Sequence, residues 1–159
     1  MPEFDPRFDL IHVFPAMHVG VRVAGGRLAE ICFLPRSIPP AAPKNRLAER
    51  AARQFEKYLD DPDHRFNLPR AEVGSAFQRR VWGAICTIAS GRTLTYGQVA
   101  KQLRSGPRAV GQACGSNWFP LLVPCHRVVG ANGIGGFGHH GEGYHLEIKR
   151  WLLAHEKAA

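Results

Sequence analysis

The chain of 159 residues lacks any run approaching the roughly 18 uninterrupted apolar residues that a membrane-spanning helix needs, so no span is expected. It has no low-complexity tract, and 45% hydrophobic with 21% charged residues excludes global disorder. The opening Met-Pro-Glu-Phe-Asp is acidic and has no apolar core, so a secretory signal is not expected and the chain reads as intracellular. The four cysteines, Cys32, Cys86, Cys114 and Cys125, fall in no CxxC pair. Without an export signal they read as free thiols rather than a disulfide framework. His139, His140 and His145 cluster near His155 but have no thiol at zinc spacing, so neither a metal nor another cofactor is expected.

Acidic residues are scarce in one half only. Residues 1–74 hold 11 basic and 10 acidic side chains, a net of +1. Residues 75–159 hold 10 basic side chains against Glu142, Glu147 and Glu156, a net of +7 out of the total +8. A surplus placed this way makes a polyanion such as nucleic acid a reasonable partner for the second half.

The first half reads as a small α/β unit. Residues 10–14, 19–23 and 28–34 are strand-like, with a turn at Gly25-Gly26. Four prolines between Pro35 and Pro43 demand a loop, because they remove too many backbone donors. Asn45 to Leu59 then reads as an amphipathic helix with Leu47, Ala51, Phe55, Tyr58 and Leu59 on one side. The stretch Pro69 to Gly74 is the expected boundary. Beyond it, Ser75…Gln78 and Thr95…Gln98 both have capping-box spacing. The first opens a helix carrying Phe77, Val81, Trp82, Ile85 and Ile88, which Gly91 is expected to close. The second opens a short helix through Leu103. After Ser105-Gly106-Pro107, a third helix runs from about Arg108 to Ser116, with Pro107 suited to its first position. A Gly-containing turn between these two helices makes a candidate helix-turn-helix. Small residues dominate the third helix, so its backbone can approach another surface closely. Ile148, Trp151, Leu152 and His155 mark the apolar seam of a C-terminal helix.

Pro124-Cys125-His126-Arg127 carries the chemistry. A thiol becomes a nucleophile on ionising, and a neighbouring imidazole or cation favours that. Adjacent residues of a regular strand point to opposite faces, so a direct Cys125–His126 bond is not guaranteed, and the irregular context leaves room for a bridging water. Cys32, Cys86 and Cys114 read as small buried hydrophobes.

Val123-Pro-Cys-His-Arg-Val128 resembles the active-site signature of the O6-alkylguanine-DNA alkyltransferases, or methylated-DNA–protein-cysteine methyltransferases. Phe77-Gln-Arg-Arg-Val-Trp82, Thr95-Tyr96-Gly97, Arg108-Ala-Val-Gly111, Gly115-Ser-Asn117 and Trp151-Leu-Leu-Ala-His-Glu156 occur in that family's order. Together they span nearly all of residues 75–159, whereas residues 1–74 match only in size and α/β texture. The resemblance implies a ribonuclease H-like α/β domain over 1–74 and a mainly α winged-helix/helix-turn-helix domain over 75–159.

It also implies direct-reversal DNA repair, with the alkyl group passing from guanine O6 to Cys125 after base flipping. His126 would act as base through water, oriented by Glu156, while Asn117 holds the active-site turn. Tyr96 would assist nucleotide rotation and give a proton to the departing guanine. Arg108 would fill the gap left by the flipped base. Ala109, Gly111, Gln112, Gly115 and Ser116 of the same helix would lie in the minor groove. Pro120, Val128, Phe137 and Gly138 would line the pocket, Val128 through its carbonyl. Arg79, Arg80, Arg92, Lys101 and Arg104 are candidate phosphate contacts.

The implied partner is duplex DNA containing O6-alkylguanine, bound by a cytoplasmic, nucleoid-associated monomer. A thioether has no easy leaving group, and no second thiol stands at a resolving spacing, so one turnover is expected. Phe137 departs from the tyrosine common at that position, and the loop 138–145 is longer than the usual connection. The rival readings are a non-catalytic alkyl-base sensor, against which Cys125 speaks, a helix-turn-helix regulator, and a thioester-forming cysteine hydrolase.

Overall fold

The computed structural model describes residues 7–135 and 144–157. The chain divides into two compact units, Met1–Glu72 and Val73–Ala159, the split falling inside the Pro69–Gly74 stretch. Among the described residues, no helix is long and apolar enough to cross a membrane.

In the first unit, β1 (Leu10–Val13), β2 (His18–Ala24) and β3 (Arg27–Leu34) form an antiparallel sheet in that order. Gly25 and Gly26 join β2 to β3 with φ of 59° and 74°, the left-handed pair that a tight hairpin turn needs and that glycine supplies without a steric penalty. The proline loop leads to α1 (Arg46–Asp60), whose cap Asn45 accepts the Ala48 amide at 2.8 Å. Ala48, Ala51, Phe55 and Tyr58 form its buried face, while Leu47 and Leu59 are half-buried. Phe55 meets Phe14 edge-on at 5.5 Å, above a core that includes Leu10, Val19, Val21, Leu28 and Ile31.

The second unit is mainly helical. Helix α2 (Ala76–Ile85) and helix α3 (Tyr96–Leu103) both begin with a complete capping box, at Ser75/Gln78 and Thr95/Gln98. Helix α2 ends at Ile85, short of the expected Gly91. Past that point Thr87 turns its hydroxyl onto the Ala84 carbonyl at 2.6 Å, and the amides of Thr87 and Ile88 bond three residues back instead of four. Helix α3 closes on Arg104 in the left-handed region (φ 55°), with the Ser105 amide returning to the Ala100 carbonyl. Pro107 opens α4 (Pro107–Gly115) at its first turn.

Two short parallel strands, β4 (Leu94–Thr95) and β5 (Val128–Val129), pair next to each other, and α5 (Tyr144–His155) ends the described chain. Strand β4 runs straight into α3, so this pairing brings the N-terminus of α3, and with it Tyr96, beside the segment that follows Cys125.

Candidate active site

Cys125 begins a single 3-10 turn, Cys125–Arg127, and the sequence explains why. Proline fixes φ, and Pro124 sits at φ −80°, ψ 65°, the geometry of an inverse γ-turn. The turn is closed by the Cys125 amide on the Val123 carbonyl at 2.8 Å, and the Arg127 amide then bonds the Pro124 carbonyl at 2.9 Å. Successive side chains therefore fan round a tight helix rather than alternating as on a strand. Just upstream Leu121, buried, holds φ 77°, a strained conformation for a side-chain-bearing residue.

Asn117, just beyond the end of α4, ties this segment together. Its Nδ2 donates to the Val123 carbonyl at 2.8 Å and to Cys125 Sγ at 3.3 Å, while its Oδ1 accepts the Phe119 amide at 2.9 Å. The Asn117 backbone amide bonds the Cys114 carbonyl at 3.2 Å. Cys125 is 3% exposed. A hydrogen bond with the Cys114 thiol, together with burial, pushes its pKa well above the ordinary thiol value, and the Asn117 bond opposes this only in part. At rest Cys125 is a neutral thiol.

His126, Arg127 and Glu156 form one buried ionic array. His126 Nε2 bonds Glu156 Oε2 at 2.9 Å, and Arg127 grips the same carboxylate with Nε on Oε1 and Nη2 on Oε2, each at 2.9 Å. Arg127 Nη1 also donates to the Ile88 carbonyl at 2.6 Å. The imidazole thus presents an Nε2–H to the carboxylate, which leaves Nδ1 as its proton acceptor. Burial lowers the His126 pKa; the Glu156 hydrogen bond and charge pull it up, while Arg127 and Lys149 pull it down again. The net is a neutral imidazole able to take a proton. Among the described residues His126 makes no hydrogen bond to the Cys125 thiol, so a proton passing between them needs an intermediary.

A third group lies alongside. Lys149 of α5 is fully buried, and its Nζ donates to the Val128 carbonyl at 2.7 Å and sits 5.7 Å from the centre of the Tyr96 ring. Burial holds its pKa down to about 8, while the thiols of Cys114 and Cys125 work in the opposite direction. Burial also pushes the Tyr96 hydroxyl well above its ordinary pKa, with Cys114 and Cys125 adding to the shift, so Tyr96 stays a proton-bearing phenol. Gly135 (φ 74°) packs against the Tyr96 ring so closely that a Cβ there would come within 3.0 Å of it.

The structure brings Cys125, Asn117, Tyr96, His126 and Glu156 into one neighbourhood. Pro120 is half-buried and bridges to Val123. The Val128 carbonyl, expected to face a guanine amino group, is already engaged by Lys149, and only its second lone pair is left for another donor. On α4, Arg108 and Gln112 are exposed, with Ala109, Gly111, Gly115 and Ser116 half-buried. Arg79, Arg80, Arg92, Lys101 and Arg104 are all exposed. Phe137 and Gly138 lie outside the described residues.

Two expectations are corrected. Cys86 is exposed rather than buried, because α2 stops at Ile85 and leaves it at the cap; Cys32 is half-buried. Cys114 does stand against Cys125, although no resolving spacing shows it in the sequence. Arg127, Lys149 and Cys114 are the neighbours that the sequence reading did not assign. A signal existed for Lys149, since it shares the spacing of Leu152, Leu153 and Glu156 on α5, which places a lysine on the buried stripe.

A buried cysteine beside a neutral histidine, itself held by a glutamate, defines a cysteine-nucleophile protein whose site is assembled within a helical unit. Residues 76–158 match the family model described as 6-O-methylguanine DNA methyltransferase, DNA binding domain. The chain belongs to that family.

A methylated-DNA–protein-cysteine methyltransferase of Methanosarcina mazei is 40% identical over 107 residues, covering 65% of this chain and 65% of the relative. One from Shigella flexneri is 50% identical over 91 residues, covering 56% and 51%. These matches span between half and two thirds of the curated relatives' length. The crystal structure of Mycobacterium tuberculosis O6-methylguanine methyltransferase superposes with a TM-score of 0.79 at 31% identity, covering 96% of this chain and 93% of that one. OGT of the same bacterium in complex with DNA gives 0.75 at 32% identity, covering 93% and 91%. The shared architecture is a mixed α/β fold.

Proposed function

We propose that this chain repairs DNA by direct reversal, accepting the alkyl group of O6-alkylguanine on Cys125 in a single turnover. The observation that carries the reading is the Cys125 turn, with Asn117 on the sulfur and the neutral His126, anchored to Glu156, next to it in the chain. Cys125 gives its proton through a water to His126 Nδ1, and Glu156 stabilises the imidazolium that forms. The thiolate attacks the alkyl carbon, a carbon–sulfur bond forms, the carbon–O6 bond breaks and the guanine leaves as its electron pair returns to the ring. Tyr96, whose hydroxyl keeps its proton, supplies one to the departing base. The thioether product has no good leaving group, so the chain is consumed.

The target carbon is stacked in a duplex, which requires the base to be flipped out. Arg108, exposed at the N-terminal turn of α4, fills the vacated space, while Ala109, Gly111, Gln112, Gly115 and Ser116 lie along the minor groove. Pro120, Val128, Phe137 and Gly138 belong to the pocket on the same reading. The α3–α4 pair, joined by the turn through Arg104 and Gly106, serves as the helix-turn-helix of a winged-helix domain, and the first unit is its ribonuclease H-like companion. The protein acts as a monomer on duplex DNA in the cytoplasm, with no cofactor.

The test is intact-mass and peptide analysis after incubation with duplex DNA containing O6-methylguanine. The expected result is one added methyl on Cys125, absent in Cys125→Ser while DNA binding persists. A folded protein that stays unmodified with excess lesion, or that releases product repeatedly, overturns the proposal.

A further inference from the structure

The Cys114 thiol has no part in alkyl transfer as proposed, yet it touches the acceptor. Both sulfurs are buried, with Cys114 8% and Cys125 3% exposed, and they are hydrogen-bonded to each other. Their backbones are held in place by one residue: Asn117 ties the Cys114 carbonyl with its amide at 3.2 Å and the Cys125 sulfur with its side chain at 3.3 Å. Cys114 lies in the last turn of α4 and Cys125 opens the 3-10 turn, so the two thiols come from elements that are each fixed by their own hydrogen bonds. Two sulfurs in contact on such supports meet the first requirement for a disulfide.

We propose that Cys114 and Cys125 form a reversible, oxidant-driven disulfide that masks the alkyl acceptor. With a peroxide as oxidant, the Cys125 thiolate attacks one peroxide oxygen, the O–O bond breaks, and a sulfenic acid forms with release of water. The Cys114 sulfur then attacks that sulfenic sulfur, the S–S bond forms, the S–O bond breaks, and a second water leaves. Two electrons pass from the sulfurs to the peroxide, and a dithiol reductant returns them. A lone acceptor thiol would instead pass from sulfenic to sulfinic acid and be lost. The Cys114 thiol traps the first oxidation product, so a protein used once per lesion is set aside rather than destroyed. Because both thiols are protonated at rest, the reaction is slow at neutral pH and quickens as pH rises.

The bond does not depend on the proposed repair activity; only its consequence rests on that reading. Arg108 and Arg127 flank a single tryptic peptide, residues 109–127, that carries both cysteines, whereas Cys86 falls in another. The whole chain is treated with hydrogen peroxide, quenched with an alkylating reagent, digested without reductant and weighed. The expected result is a 109–127 peptide two hydrogens lighter than the dithiol, reverting on treatment with dithiothreitol. Cys114→Ser should give instead oxygen adducts on Cys125 that dithiothreitol does not remove. Methyl acceptance should be lost on oxidation in both proteins and regained after reduction in the unsubstituted chain alone. A 109–127 peptide carrying the same oxygen adducts with and without Cys114, or a link from Cys125 to Cys86, overturns the proposal. The peptide masses judge the disulfide even if no methyl transfer is ever observed.

Discussion

At the scale of single residues, the array around Glu156 sets the protonation of the site. His126 is held neutral by burial, with Arg127 and Lys149 opposing the pull of the glutamate. Its folded pKa lies below the ordinary 6.5, so the unfolded chain binds a proton below that pH that the native chain does not. This group's contribution to stability is therefore full above pH 6.5 and is lost as the pH falls through the folded value. Methyl transfer should be insensitive to His126 around neutrality and decline only on the acid side. Arg127→Met tests the balance. It leaves the Glu156 carboxylate buried without its guanidinium, a change that typically costs about 3–5 kcal/mol. With Arg127 gone, one term lowering the His126 pKa disappears and the carboxylate is free to hold an imidazolium. The His126 titration, followed by NMR, should move upward, and the acid decline of activity should move with it. An unchanged titration would mean that Arg127 serves only to anchor the turn to Ile88.

At the scale of elements, the second unit depends on side chains that satisfy helix ends. Trp82 of α2 donates its indole N–H to the Ala113 carbonyl at 2.9 Å, one of the last carbonyls of α4, which lacks a partner within its own helix. Trp82→Phe keeps most of the buried ring but strands that carbonyl, and should lower stability by about 1–3 kcal/mol in denaturant melts. No change in the midpoint would show that another donor caps α4. Such tertiary caps are invisible in the sequence, whereas local ones are not. Ser75 with Gln78 and Thr95 with Gln98 announce α2 and α3 because donor and acceptor lie three residues apart. The end of α2 was not legible, since the apolar spacing continues to Ile88 while the Thr87 hydroxyl takes over a helix carbonyl. The site divides in the same way. Cys125, His126 and Glu156 stand in recognisable motifs, and the Pro124 turn follows from proline geometry. The Cys114 contact, the Arg127 fork and the Lys149 bond to Val128 depend on which elements pack together, and no local spacing encodes that.

At the scale of the whole molecule, the uneven charge becomes more specific once burial is known. Within the second unit Arg127 is consumed by Glu156, and Lys149 is buried against Val128, so neither contributes to an external field. Arg79, Arg80, Arg92, Lys101, Arg104 and Arg108 all remain exposed there. Their positions on α2, α3, α4 and the adjoining turns belong to the unit that matches the DNA-binding family model. Each phosphate neutralised by such a cation releases counterions, which makes affinity fall with salt by a slope of about −0.9 per contact. Lys101→Gln should therefore weaken duplex binding without regard to sequence and flatten the logarithmic salt dependence by about 1. Arg53→Gln, which removes an exposed cation of equal charge from α1 in the near-neutral first unit, should leave the slope unchanged. Equal flattening by the two substitutions would make the attraction a property of net charge alone. A loss confined to Lys101 would instead place the phosphate contacts on the unit that holds Cys125, where attraction to the duplex and delivery of a base to the thiol serve the same event.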